Sequence, residues 1–222
     1  MNILVTNPAS RLSREIVQAL SLTHEVELAE GPFGHEDAQN ELVKDVDAVV
    51  HSLQDSPSID ESERLDQAMR QTYNLLWACV QRGVSRFVFL SSLSSMKSYP
   101  GNYLVNEKWR PLPTTEIDGL CFHLAEFVCR EYGRERGLDV RVLRLGDLDW
   151  DGESDSDSVL YGADALNGVI RAIEADLEAG SWAPASKWNV FHLQSGNPSK
   201  PSRFSTRKAE IELGFIPGGF QE

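Results

Sequence analysis

A chain of 222 residues with 41% hydrophobic content is long enough to bury one sizeable core, and its length suits one large domain or a domain carrying a small lobe. The 34 acidic against 21 basic residues set a net charge of −13, which repels nucleic acid phosphates and anionic lipid, and no stretch gathers basic residues into a patch. No run reaches the ~18 apolar residues of a membrane helix, so a soluble, cytoplasmic protein with neither nucleic acid nor membrane as partner is expected.

The first strand is predicted over 2–6, where Ile3-Leu4-Val5 opens the chain, and a helix over 11–21 follows it. A second strand is expected at 25–29 and a third at 48–51, then a long helix over 61–81. Beyond it come a strand at 86–90, a helix at 119–136, a strand at 140–144, a helix at 163–178, a strand at 190–193 and a short helix at 206–213. Gly83, Gly137, Gly180 and Gly214 stand where helices end. Two stretches break the rhythm and are predicted as surface loops: 100–115, with Pro100, Pro111 and Pro113, and 147–158, made almost wholly of Asp, Ser, Glu and Gly. Strands alternating with helices build a parallel sheet covered on both faces, so the fold class is α/β, a doubly wound Rossmann-like sheet. One domain over 1–222 is expected, with its core at 1–146 and a reduced C-terminal lobe at 147–222. Cys79, Cys121 and Cys129 lie in apolar helical surroundings without CxxC spacing, which predicts reduced, buried thiols.

Several blocks carry a resemblance. Ile3-Leu4-Val5-Thr6 followed by a turn and a helix, then Asp47-Ala48-Val49-Val50-His51, look like the opening and the third strand of the extended short-chain dehydrogenase/reductases, the NAD-dependent epimerase/dehydratase group. Thr72 to Leu76 and Gly83 to Ser92 resemble that family's long helix and fourth strand. Ala125-Glu126 and Val142 to Gly146 resemble the active-site helix and the strand after it. Arg203 to Thr206, with Leu213 to Pro217, resemble its closing signature. The resemblance implies a dinucleotide-binding oxidoreductase or epimerase, NAD or NADP as cofactor, and pairing of two copies through the active-site helix at 119–136, with Phe122 and Phe127 candidates for that contact or for ordinary core packing.

The residues that would do this work are replaced. The family's glycine loop, T-G-x-x-G-x-x-G, lets backbone approach a pyrophosphate and lets the helix pack closely on the strand. Its glycine positions hold Asn7, Ser10 and Ser13 here, with Pro8 inside the turn. Asn7 can adopt the left-handed conformation, so the turn is expected to persist, while Ser10 projects where pyrophosphate would press. Arg11 and Arg14 in the first helical turn favour either a remodelled anion site or plain solvation. Glu30, just past the second strand, stands where the family often places the acid that bonds ribose hydroxyls, which would favour NAD over NADP. The family's Y-x-x-x-K pair falls on Asp118 and Phe122; an ionised carboxylate donates no proton, and a phenyl ring carries no charge to tune a neighbour. Ala68 replaces the family's helix asparagine, and Gln71 takes a usually small position. Ser92 remains at the place of the active-site serine, yet a strand-ending hydroxyl also bonds local backbone. His51 reads as a packed strand-end histidine before it reads as a general base. Tyr99 or Tyr103 with Lys108 is a weak substitute pair, because a Pro-flanked loop does not hold them one helical turn apart.

Asp147, Asp149, Asp151, Gly152 and Asp155 match positions 1, 3, 5, 6 and 9 of an EF-hand-like loop, but Ser158 stands where the bidentate glutamate belongs, so no metal is assigned. The leading expectation is a degenerate member of the epimerase/dehydratase-like group that does not run the tyrosine–lysine mechanism. It would bind a small molecule in the sheet crevice, or a partner, in a ligand-binding or sensory role, with dinucleotide binding weak or absent. The candidate residues are Ser92 and Asp118 for chemistry and Asn7, Ser10, Arg11, Glu30 and His51 for cofactor. The alternative is an atypical NAD-dependent oxidoreductase or epimerase acting on a sugar or related small molecule.

Overall fold

The computed structural model of the protein describes residues 1–34, 37–54, 59–177, 186–196 and 200–218. Six strands, β1 (Asn2–Thr6), β2 (Glu25–Ala29), β3 (Ala48–Ser52), β4 (Arg86–Ser92), β5 (Asp139–Leu145) and β8 (Trp188–Leu193), form one parallel sheet in the order β2-β1-β3-β4-β5-β8. Each covers its predicted run and most extend it by one to two residues. Helices cover both faces. On one lie α1 (Arg11–Leu20), α5 (Gly162–Glu174) and α6 (Arg207–Leu213), packed on Ile3, Val5, Val50, Val88 and Leu143. On the other lie α2 (Asp37–Leu42), α3 (Glu61–Arg82) and α4 (Ile117–Arg136), packed on Leu4, Val49, Phe87, Phe89 and Val142. Odd and even strand positions thus feed opposite cores, as the period of two requires.

The strand order has a consequence for the site. A nucleotide-binding sheet of order 3-2-1-4-5-6 carries a strand outside β2; here β2 is the edge, and the chain crosses through α2 directly to β3 beside β1. Glu25 and Glu27 face solvent along this edge, which blunts it against pairing with another sheet. The chain turns to opposite faces after β1 and after β3, so the ends of these two strands diverge into a crevice.

Three helices end as their glycines predict: Gly83, Gly137 and Gly214 all adopt the left-handed conformation as C-caps. Helix α5 differs. Gly180 lies outside the described residues, and α5 stops at Glu174, four residues before the predicted end, where arginines from the sheet take its last carbonyls. Arg141 donates to the Ala172 and Ala175 oxygens at 2.8 and 2.7 Å while holding Asp139, and Arg86 bonds the Ile173 oxygen. Satisfied end groups and a positive charge at the negative helix pole fix the stop there.

The stretch 147–158 is not a plain loop. It begins as β6 (Asp147–Asp149), which pairs in parallel with β7 (Val159–Tyr161) as a separate two-stranded ribbon. Asp149 accepts from the amides of Ser154, Gly152 and Asp151, and these bonds hold its carboxyl below the usual carboxylate range. Asp147 is bound by Lys97 at 2.7 Å and by the Ser156 and Ser158 hydroxyls. Its two leading acids are thereby spent within the fold. Among the described residues no group of three or more His, Cys, Asp or Glu is placed to hold a metal, and no helix is long and apolar enough to cross a membrane. A Cβ on Gly146, between β5 and β6, would collide with the Ser158 carbonyl oxygen. Gly146→Ala is therefore expected to cost ~1–3 kcal/mol by forcing the ribbon off the sheet; an unchanged urea midpoint would show that the ribbon yields freely. All three cysteines are free and buried, as expected.

Candidate functional site

The crevice opens at the C-terminal ends of β1 and β3. After β1 the chain turns through Asn7, whose φ of 63° is the left-handed conformation expected of it. Its buried side chain donates to the Leu53 carbonyl at 2.8 Å, tying the turn to the end of β3. Ser10 caps α1, accepting from the Ser13 amide at 3.4 Å, so its oxygen serves the helix's own first turn. Ser13 is fully buried, with its hydroxyl 3.4 Å from that of Ser52. The two arginines of the first turn are both engaged. Arg14 donates to the Pro8 and Ala9 carbonyls at 2.9 and 2.8 Å, and Arg11 lies over the Trp150 ring at 4.4 Å.

His51 is packed inside the molecule at 2% exposure. Its ring nitrogens meet the hydroxyls of Thr6 at 3.0 Å and Thr72 at 3.1 Å, and the rings of Phe33, Phe87 and Phe89 surround it. Burial lowers its pKa to about 3, so it is neutral at physiological pH. Glu30 is exposed just past β2.

Ser92 ends β4 and caps a single 3-10 turn, Leu93–Met96, accepting from the Ser94 amide at 3.1 Å. This is the local backbone bond that a strand-ending serine makes. Asp118 sits in the first turn of α4 with its side chain 73% exposed, and Arg64 of α3 forms an ion pair with it. Phe122, one turn further, packs against the core between the sheet and α4. It is partly buried, whereas Phe127 is half exposed with the Arg130 guanidinium over its ring. Tyr99 donates its hydroxyl to the Arg110 carbonyl at 2.7 Å, while Tyr103 and Lys108 are both exposed in the turn-rich loop.

Between β3, α3 and α4 lies a cavity of about 270 Å³. Its walls include Asp118, Phe122, His51, Ala68 and Gln71, all singled out from the sequence, and three polar residues that were not: Gln54, Arg64 and Gln67. Arg64, Gln67, Ala68 and Gln71 follow i, i+3, i+4, i+7 spacing, so one face of α3 lines the site. That spacing is visible in the chain, but a polar stripe on a helix ordinarily faces water. Gln54 and Gln71 reach across to the end of β2: a Cβ on Gly31 would stand 3.0 Å from Gln71 Oε1 and 3.3 Å from Gln54 Oε1.

The sequence model described as NAD(P)H-binding matches residues 8–172. The chain belongs to the NAD(P)H-binding family. Its fold is shared with glucuronic acid dehydrogenase from Chromohalobacter salexigens, at 20% identity and TM-score 0.79, covering 100% of this chain and 84% of that one. UDP-N-acetylglucosamine 4-epimerase from Bacillus cereus matches at 23% identity and TM-score 0.77, over 99% and 94%. Uronate dehydrogenase from Agrobacterium tumefaciens matches at 20% and 0.78, over 97% and 84%. No curated protein matches. At 20–23% identity these likenesses show that the chain shares the fold of these dehydrogenases and this epimerase.

Proposed function

We propose that this chain is a ligand-binding member of its family that does not run the tyrosine–lysine mechanism and binds dinucleotide weakly or not at all. The observation that carries the reading is the state of Asp118. At the position where a phenol would exchange a proton stands a carboxylate ion-paired to Arg64, and one helical turn on stands the packed ring of Phe122. Three further features support it. Among the described residues no strand lies outside β2, in the half of the sheet that would carry adenosine. Gln54 and Gln71 lie against Gly31 beside the end of β2, near the exposed Glu30. The first turn of α1 is served by its own Ser10 and strapped by Arg14. The residues present do not fit a dinucleotide in its ordinary pose.

On this reading the protein is cytoplasmic and works by occupancy, as a sensor or as one half of a complex. A homodimer through α4 is supported by the exposed Phe127, with Met69 and Tyr73 exposed on the neighbouring α3. The test is titration of the purified protein into NADH and into NADPH, read by nicotinamide fluorescence. No saturation below about 100 µM is expected, weaker than ~−5.5 kcal/mol of binding. Saturable binding in the low micromolar range would instead favour an atypical oxidoreductase or epimerase acting on a sugar.

A further inference from the structure

The cavity between α3 and α4 has a chemistry of its own, and we propose that it is a binding site for a small, flat, uncharged ligand of the carboxamide or lactam class, held by Gln54 and Gln71. This deepens the reading of the crevice as a ligand site that has lost its dinucleotide. Size sets the first bound. At about 270 Å³ the cavity falls below the ~300–1,000 Å³ of sites for drug-sized ligands, which suits a single ring with one substituent.

Charge sets the second. Among the described residues Arg64 and Asp118 are the charged side chains that line the cavity, and they form an ion pair. His51, at the cavity floor, is kept neutral by burial. An ionic ligand would have to leave water without an unspent opposite charge to meet it, which is costly. An uncharged ligand meets no such cost.

Hydrogen bonding selects the class. Among the described residues neither the Gln54 nor the Gln71 carboxamide is seen to bond another group, and their oxygens stand within 3.3 Å of one point beside Gly31. A glutamine side chain offers an N–H donor and a carbonyl acceptor side by side, so its natural complement is an edge with an acceptor beside a donor, joined by two antiparallel bonds. Carboxamides and lactams present that edge in a plane. Phe122, Leu53 and Ile59 supply apolar walls for the remainder of the ring.

The experiment uses three probes of one size and shape: benzamide, benzoate and benzamidinium. Each is titrated into the full-length ¹⁵N-labelled protein, with amide shifts at Ala68 and Cys121 reporting from the cavity wall. Benzamide is expected to bind with a Kd of about 1 mM, given so few atoms, and each ion at least about tenfold more weakly. Gln71→Leu and Gln54→Leu, which keep the side-chain size, should each weaken benzamide by about tenfold while leaving the thermal melt in place. The proposal is overturned if either ion binds as well as benzamide, if the shifts fall outside the cavity, or if both glutamine variants bind benzamide unchanged. NAD titrated into the same samples separates the two readings. Tight NAD binding would defeat the loss of dinucleotide, whereas the benzamide series decides the ligand class by itself.

Discussion

Acidification from pH 7.5 to 5.0 is expected to remove about 4 kcal/mol of folding stability, with two buried histidines responsible. His51 and His192 are each inaccessible to water in the fold, and each has its pKa lowered to about 3, chiefly by burial and, for His192, also by Arg144 and Lys208. The unfolded chain binds a proton at each site below about pH 6.5, while the folded chain stays neutral until near pH 3. Stability is therefore fully present above pH 6.5 and is lost as pH falls toward 3. At pH 5.0 each site lies ~1.5 pH units below its unfolded pKa, about 2 kcal/mol at ~1.36 kcal/mol per unit. Asp147 does not contribute in this window. Although burial raises its pKa, bonds from Lys97 and Ser156 lower it below the usual carboxylate value, so its own loss comes at more acidic pH. Urea unfolding at pH 7.5, 6.0 and 5.0 measures the slope, and His51→Gln should halve it. A stability that is flat across this range would mean that neither histidine is sealed from protons.

The second large effect lies on the helix that walls the site. Glu126 of α4 and Arg144 of β5 are about 5% exposed and joined by a two-pronged bridge, Nε to Oε1 at 2.9 Å and Nη2 to Oε2 at 2.7 Å. Ser91 at the end of β4 donates to the same carboxylate at 2.5 Å, so one acid joins two strands to the helix that carries Asp118 and Phe122. Glu126→Leu leaves a guanidinium buried without its counter-ion and is expected to cost ~3–5 kcal/mol. Glu126→Leu combined with Arg144→Met removes both charges and should recover most of that loss, because the desolvation penalty disappears with them. Denaturant unfolding of the two single variants and the double variant closes the cycle. A double variant no more stable than Glu126→Leu would refute the unpaired charge as the cause.

These two effects differ in how far they were legible in the chain. His51 reads as a packed strand-end histidine because it closes an apolar run, and it is packed. Glu126 and Arg144 were visible as parts of two motifs but not as partners, since nothing within one helical turn or one strand links positions 18 apart. The same division runs through the site. The left-handed Asn7 and the helix ends at Gly83, Gly137 and Gly214 each depend on a few neighbouring φ and ψ angles, and each occurs where expected. The early stop of α5 and the β6–β7 ribbon were missed, because arginines on the sheet set the first and pairing of 147–149 with 159–161 sets the second.

Alternating apolar runs, turn residues and helix ends determined from the sequence a doubly wound α/β chain, and residue chemistry set the expectation that Asp118 and Phe122 do not do the work of a tyrosine and a lysine. Local sterics and side-chain functional groups are properties of the chain itself. The tertiary structure alone decided that Arg64 meets Asp118 from 54 residues away, that Gln54 and Gln71 close on Gly31, and that β2 is left as the sheet edge. Those outcomes depend on which crossover packs on which face, where free energy is shared among many distant contacts.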